Sequence, residues 1–194
     1  GSDEVCCGYL YLRNAPSSPE LQLESERLVN ELYFFDVLRS DRSISSNGLE
    51  ARTPFLDKTF VKYYLSIPPE LKVFNSKDRI EKHLLREAFD SGTYLPDDVL
   101  WRRKVAFSDG VSSQKKSWHK IIQKHVDSKI SDEEFFKAKD SISHCPPLLK
   151  ESYYYRKVYE SFFPDSEKLI PHFWMPKWSS VIDPSARELQ NYQE

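Results

Sequence analysis

The amino-acid sequence predicts a mostly α fold, and three observations predict it. Apolar residues recur at helical spacing in several stretches, capping pairs stand before those stretches, and nowhere do Val, Ile and Thr alternate with polar residues as in a half-buried strand. The chain has 194 residues, enough for a sizeable core. No internal repeat is seen. The reading is one mostly helical unit over 1–194: a leading loop region at 1–19, a helical body at 20–163 and an irregular tail at 164–194 that is rich in Pro and aromatic residues.

Each element has its own signal. The string NAPSSP breaks the chain before the first helix. Ser17 or Ser18 caps that helix, Glu20 completes a capping box with Ser17, and Pro19 sits in the first turn, where its missing N–H costs nothing. One long helix is expected over 19–40. Leu21, Leu28, Leu32 and Phe35 form its stripe, Val29 and Tyr33 widen it, and Glu24, Glu26, Arg27 and Glu31 face water. After a turn at Ser46-Asn47-Gly48, Pro54 bars a helix interior. A short helix is expected from Asp57 to Leu65, with Phe60, Tyr63 and Tyr64 inward, stopped by Pro68 and Pro69. The next spans 77–90, buries Ile80, Leu84, Leu85, Ala88 and Phe89, and ends at Gly92.

Residues 95–113 read as a turn and then a polar loop anchored by large apolar side chains. A helix over 114–127 is built on Trp118, Ile121, Ile122, His125 and Val126. Ser131 and Glu134 form a second capping box before Phe135 and Phe136. The last helix spans 149–163 with Tyr154, Tyr155, Val158, Tyr159 and Phe162 inward, and Pro164 ends it. The tail carries HFWMPKW, too aromatic to stay solvated, so it is expected to pack down.

Composition narrows the function. With 28 basic and 30 acidic residues the formal charge is −2, without the surplus of Lys and Arg that a nucleic-acid partner requires. No apolar run approaches the length of a membrane span, and no leader pattern opens the chain. Cys6 and Cys7 are adjacent and Cys145 stands apart, which suits a reducing, cytoplasmic setting. His83, His119, His125, His144 and His172 show no metal-site spacing. The first residue is Gly and the one Met is Met175, so the chain is expected to be a piece of a longer polypeptide; a cloning remnant would also account for Gly1-Ser2.

Three places suit ligand chemistry. Gly1, Ser2, Asp3 and Glu4 combine small residues with carboxylates, as beside a phosphate and a magnesium ion; a frayed acidic terminus is the other reading. Arg102, Arg103 and Lys104, flanked by Trp101 and Phe107, can clamp a phosphate-rich ligand or form a solvated charge run. Asp36, Arg39, Asp41, Arg42 and Arg52 can read a small charged substrate or form a structural ion-pair network.

Longer strings carry a resemblance. GSDE at 1–4, GYLYLRNAPS at 8–17, ESERLVNELYFFDVLRSDRS at 24–43, GLEARTPFLDKTF at 48–60, IEKHLLREAF at 80–89, LPDDVLWRRKVAFSDGV at 95–111, ESYYYRKVYESFFP and HFWMPKWSSVIDPSAREL resemble the glutamine-dependent asparagine synthetases, in order and over essentially the whole chain. The resemblance implies the C-terminal helical portion of an α/β adenine-nucleotide-hydrolase-like (ATP pyrophosphatase) synthetase domain. It implies a ligase that takes aspartate, ATP and ammonia to asparagine, AMP and pyrophosphate through β-aspartyl-AMP. ATP and Mg²⁺ are the implied cofactors. The implied partners are an N-terminal glutaminase domain of the same polypeptide and a second copy in a homodimer.

Residue by residue, the resemblance makes Gly1, Ser2 and Asp3 the tail of an active-site loop GEGSDE, with Asp3 at magnesium and pyrophosphate. It makes Lys104 a phosphate contact, and it places Asp36 and Arg39, with Arg52 as a neighbouring candidate, on the aspartate and ammonia side. The family's nucleotide loop SGGxDS does not occur in this sequence, and Val105 stands where the family usually has a carboxylate. The isolated chain is therefore expected to be inactive, and a catalytically inactive helical interaction module derived from the family is the alternative reading.

Overall fold

A computed structural model describes residues 1–75, 78–106, 110–111 and 117–181. Among them the chain is mostly helical and contains no strand, as the periodicity predicts. No helix among them is long and apolar enough to cross a membrane. The chain divides into two compact units, the first holding Gly1–Lys104 with Pro176–Ser180, the second holding Val105–Met175.

In the first unit, α1 (Ser2–Val5) is a single turn, and a 3-10 turn follows at Leu10–Asn14. The helix α2 (Ser18–Asn30) starts where the capping signal puts it: the Ser17 side chain accepts from the Glu20 N–H at 3.4 Å. The expected long helix does not continue to residue 40. It stops at Asn30, a 3-10 turn occupies Leu32–Phe34, and α3 (Asp36–Ser45) starts afresh. The aromatic run Tyr33-Phe34-Phe35 follows the break; aromatic residues lose side-chain freedom in a helix, so the local preference for continuing it is weak there. Phe35 takes φ −122° and ψ −96°, outside the helical region, and Asp36 falls in the first turn of α3.

The buried face of α2 also differs from expectation. Leu21, Glu24, Ser25 and Leu28 lie inside at helical spacing, so Glu24 does not face water, whereas Tyr33 does. Glu24 is buried because its charge is met: Tyr11 Oη donates to it at 2.6 Å, Arg27 binds it through Nε at 2.8 Å and through a terminal guanidinium nitrogen at 2.6 Å, and Lys177 Nζ lies 3.1 Å away. Lys177 belongs to the tail, and Trp178 accepts from Asn14 at 3.3 Å, so residues 176–180 pack down as expected.

Asp57 caps α4 (Lys58–Ser66), accepting from the N–H groups of Thr59 and Phe60 at 2.9 and 3.0 Å. Tyr64 is buried as expected, but Tyr63 points outward. The buried Lys72 closes the far end of α4, donating to the carbonyls of Tyr64 and Leu65 and to Gln22. Val5, Cys6 and Tyr64 centre the core, packed by Val29, Leu56, Phe60, Val61, Ile67, Leu84 and Leu85. The helix expected over 77–90 shrinks to α5 (His83–Glu87), because Lys82 takes a left-handed φ of +59°; residues 76–77 lie outside the described residues. Ala88 and Phe89 are consequently exposed. Within the expected loop over 95–113, described residues Asp97–Leu100 form a helical turn, α6; residues 107–109 and 112–116 lie outside the described residues.

In the second unit, α7 (Trp118–Asp127), α8 (Asp132–Ser141) and α9 (Lys150–Phe162) enclose Val126, Ile130 and Phe135, with Ile122, Tyr153 and Tyr154 packed around them. Ser131 caps α8 as expected, accepting from the Glu134 N–H at 3.1 Å. Trp118, Ile121, His125, Phe136, Tyr155, Val158 and Phe162 are exposed. Reading an aromatic residue as inward fails on these helices because their apolar residues run round more than one face.

Candidate functional site

The site is built on the first turn of the chain. The N–H of Val5 donates to the Gly1 carbonyl at 3.1 Å and that of Cys6 to Ser2 at 3.0 Å, closing the turn. Val5 and Cys6 drive one side of it into the core, which leaves Asp3 on the other. The chain reverses at Cys7, whose φ is +56°, and the Gly8 N–H donates to the Asp3 carbonyl at 2.8 Å. Gly8 sits against the carboxylate: a Cβ there would lie 2.1 Å from Asp3 Oδ1 and 2.3 Å from Lys82 Cε.

Asp3 lies between two lysines. Lys82 Nζ is 2.7 Å from Oδ1 and Lys104 Nζ is 2.7 Å from Oδ2. Lys82 Nζ also donates to Ser2 Oγ at 3.1 Å, and its backbone N–H to the Cys7 carbonyl at 3.4 Å. Burial pushes the Asp3 pKa up, but the two ammonium groups outweigh it and hold the carboxyl below its ordinary value. Lys104 arrives from a segment 101 residues away, whose base is fixed by the buried Leu100 and by Trp101 packed 5.5 Å from His83.

A second acidic group adjoins. The buried Glu4 accepts from Tyr9 Oη at 2.6 Å. Arg39 reaches back one turn of α3 to Asp36 Oδ1 at 2.9 Å. The structure thus joins Lys104 to Asp3 directly, bridges Asp3 and Ser2 through Lys82, and pairs Arg39 with Asp36.

Other charged residues of the sequence reading stay apart. Arg52 pairs with Glu50 at 2.6 Å, both exposed, and Asp41 and Arg42 face each other at 3.7 Å on the surface. Arg102, Arg103 and Val105 are exposed, and Phe107 lies outside the described residues. Lys82 is the residue that sequence reasoning missed; it stands in the quoted string IEKHLLREAF, but nothing in its type or spacing separates it from the other lysines. Burial raises the thiol of Cys6 to about 12 and that of Cys7 to about 11, so neither is a ready nucleophile. Among the described residues no three His, Cys, Asp or Glu side chains gather as a metal cluster.

Residues 13–190 match the asparagine synthase family. The chain is 50% identical over 193 residues to the glutamine-hydrolysing asparagine synthetase of Gallus gallus and 49% identical to that of Homo sapiens. Each of these matches covers 100% of this chain and 34% of the relative, so the chain spans about a third of the length of the curated relatives it matches. With that family match running almost end to end, the chain belongs to the asparagine synthase family.

Proposed function

We propose that residues 1–194 are the C-terminal helical portion of the synthetase domain of a cytoplasmic, glutamine-hydrolysing asparagine synthetase. The complete enzyme would couple ATP and aspartate to ammonia drawn from a glutaminase domain, and would work as a homodimer. The reaction releases pyrophosphate as the aspartate side-chain carboxylate attacks the α-phosphorus of ATP. Ammonia then displaces AMP from β-aspartyl-AMP to give asparagine. The observation that carries this reading is the placing of Lys82 and Lys104 on the two oxygens of Asp3, within a chain 49% to 50% identical to the named synthetases.

The chemistry of these groups suits the assignment. Two ammonium groups fixed in advance meet the charge that gathers on leaving pyrophosphate, without reorganising as it forms. Asp3 holds them in place and offers the one carboxylate between them. Both oxygens of Asp3 are taken by ammonium groups, so a Mg²⁺ ion that keeps waters and takes phosphate oxygens would reach this carboxylate only as the lysines turn to the phosphates. Bound there, Mg²⁺ would supply charge neutralisation to the phosphates. Gly1 and Ser2 border this phosphate end, and Asp36 and Arg39 line the aspartate and ammonia side.

The test is pyrophosphate release from ATP and aspartate by the full-length polypeptide with ammonia supplied directly. Lys104→Ala and Lys82→Ala should each lower the rate about a hundred- to a thousand-fold, the usual cost of one such interaction. Lys104→Arg should rescue poorly, since a planar fork replaces a compact charge. Arg103→Ala should do far less, and glutamine hydrolysis should survive in all of them. Equal losses for Lys104→Ala and Arg103→Ala, or none for either, would remove Lys104 from the site.

A further inference from the structure

We infer that Glu81 is a positioning residue that sets Lys104 against Asp3 by holding the Lys104 backbone from inside the core. This rests on the reading of Asp3 and Lys104 as the phosphate end of the site. Lys104 has a long, flexible side chain, and residues 102–106 belong to no helix, so its backbone must be fixed for its ammonium to return to one place. The fixing group is the carboxylate of Glu81, which is 2% exposed. Its Oε1 accepts from the Lys104 N–H at 2.6 Å and from the Arg86 guanidinium at 2.9 Å.

Arg86 completes the latch. Its Nε donates to the Glu81 carbonyl at 2.9 Å, and another guanidinium nitrogen donates to the carbonyl of Leu100. The arginine therefore holds both ends of the arrangement: the backbone that carries Glu81, and the last turn before the Lys104 segment. A buried carboxylate keeps its charge only when paired, so Glu81 is not free to turn elsewhere. Its neighbour Lys82, in its left-handed conformation, carries the other cation to Asp3. Two adjacent residues thus place both ammonium groups, one directly and one through a backbone amide.

The test needs no substrate, so its failure is distinct from failure of the functional reading. Glu81→Ala leaves the largely buried Arg86 without its carboxylate and can fail to fold. The main variant is therefore Glu81→Met combined with Arg86→Met, since replacing both members of a buried pair by apolar residues is often tolerated. Two measurements are made on the full chain: hydrogen exchange at the Lys104 amide, and the rates at which acetic anhydride labels Lys104 and Lys82, read by mass spectrometry. In the double variant Lys104 amide exchange and labelling should both rise at least about tenfold, the effect of losing one hydrogen bond of roughly 1.4 kcal/mol. Lys82 labelling should stay within about twofold. Glu81→Gln keeps an acceptor and should fall between the variant and wild type. Glu24→Gln, at another buried acid of the same unit, lowers that unit's stability without touching Lys104, so it should raise Lys104 exchange and labelling clearly less than the double variant does. Wild-type values at Lys104 in the double variant would overturn the inference, as would equal rises at Lys82 and Lys104 or an equal effect of Glu24→Gln.

Discussion

At the scale of single residues, Gly8 leaves less room for a Cβ than any other glycine of the chain. A methyl group there would meet Asp3 Oδ1, Lys82 Cε and, at 2.9 Å, Asp3 Cα; the last is backbone and cannot swing aside. Gly8→Ala should therefore open the turn, separate Asp3 from Lys82 and destabilise the protein by roughly 1–3 kcal/mol, the usual cost of overpacking. Urea unfolding measures this, and an unchanged midpoint would show that the turn has room the structure denies it. At this scale the sequence was legible by type and not by partner. Asp3 and Lys104 stand out through the strings that carry them, and the structure brings them to 2.7 Å. Lys82 was hidden because its aim depends on a left-handed backbone that no propensity assigns to lysine. Glu24 was misread for a related reason: its partners Tyr11 and Lys177 are far away in the chain, and a lone glutamate on a helix reads as solvent-facing.

Elements were most legible at their starts. Ser17, Asp57 and Ser131 accept from the helix N–H groups that follow them, because a cap is a contact within three residues and needs nothing from the rest of the fold. Lengths were less legible, because they depend on packing. The helix expected over 19–40 has no Gly or Pro in its interior, yet α2 ends at Asn30 and a 3-10 turn at Leu32–Phe34 separates it from α3, with the rings of Tyr33 and Phe34 4.0 Å apart. That break puts Asp36 in the first turn of α3, where Arg39 pairs with it at 2.9 Å. Among the caps, Asp57 makes two bonds of 2.9 and 3.0 Å, whereas the single Ser17 bond is 3.4 Å. Asp57→Ala should cost about 1 kcal/mol and Ser17→Ala clearly less, by urea unfolding. A larger loss at Ser17 would mean that bond length does not rank these caps.

The two units should differ in their response to acid. The first holds Asp3 and Glu24, both below their ordinary values of 3.8 and 4.5 because, although burial raises them, lysine and arginine partners more than offset it. A carboxyl depressed in the folded state stabilises the fold fully above its ordinary pKa, and that contribution is lost as pH falls through the folded value. The first unit should therefore weaken as pH drops below about 4, when these carboxyls are forced to take protons. Among the described residues of the second unit the depressed carboxyl is Glu134, paired with Lys157 at the surface, where solvent screens the pair and little stability is at stake. Hydrogen exchange followed from pH 6 to pH 3, corrected for its intrinsic pH dependence, should show α1 and α2 losing protection before α8 and α9. Added salt should change that order little, since buried pairs are screened less than exposed ones. Glu24→Gln should remove part of the first unit's acid dependence while lowering its stability at neutral pH, because a neutral amide leaves Arg27 and Lys177 without their shared charge. Simultaneous loss across both units, or earlier loss in α8 and α9, would show that acid stability is not set by the buried ion pairs of the first unit.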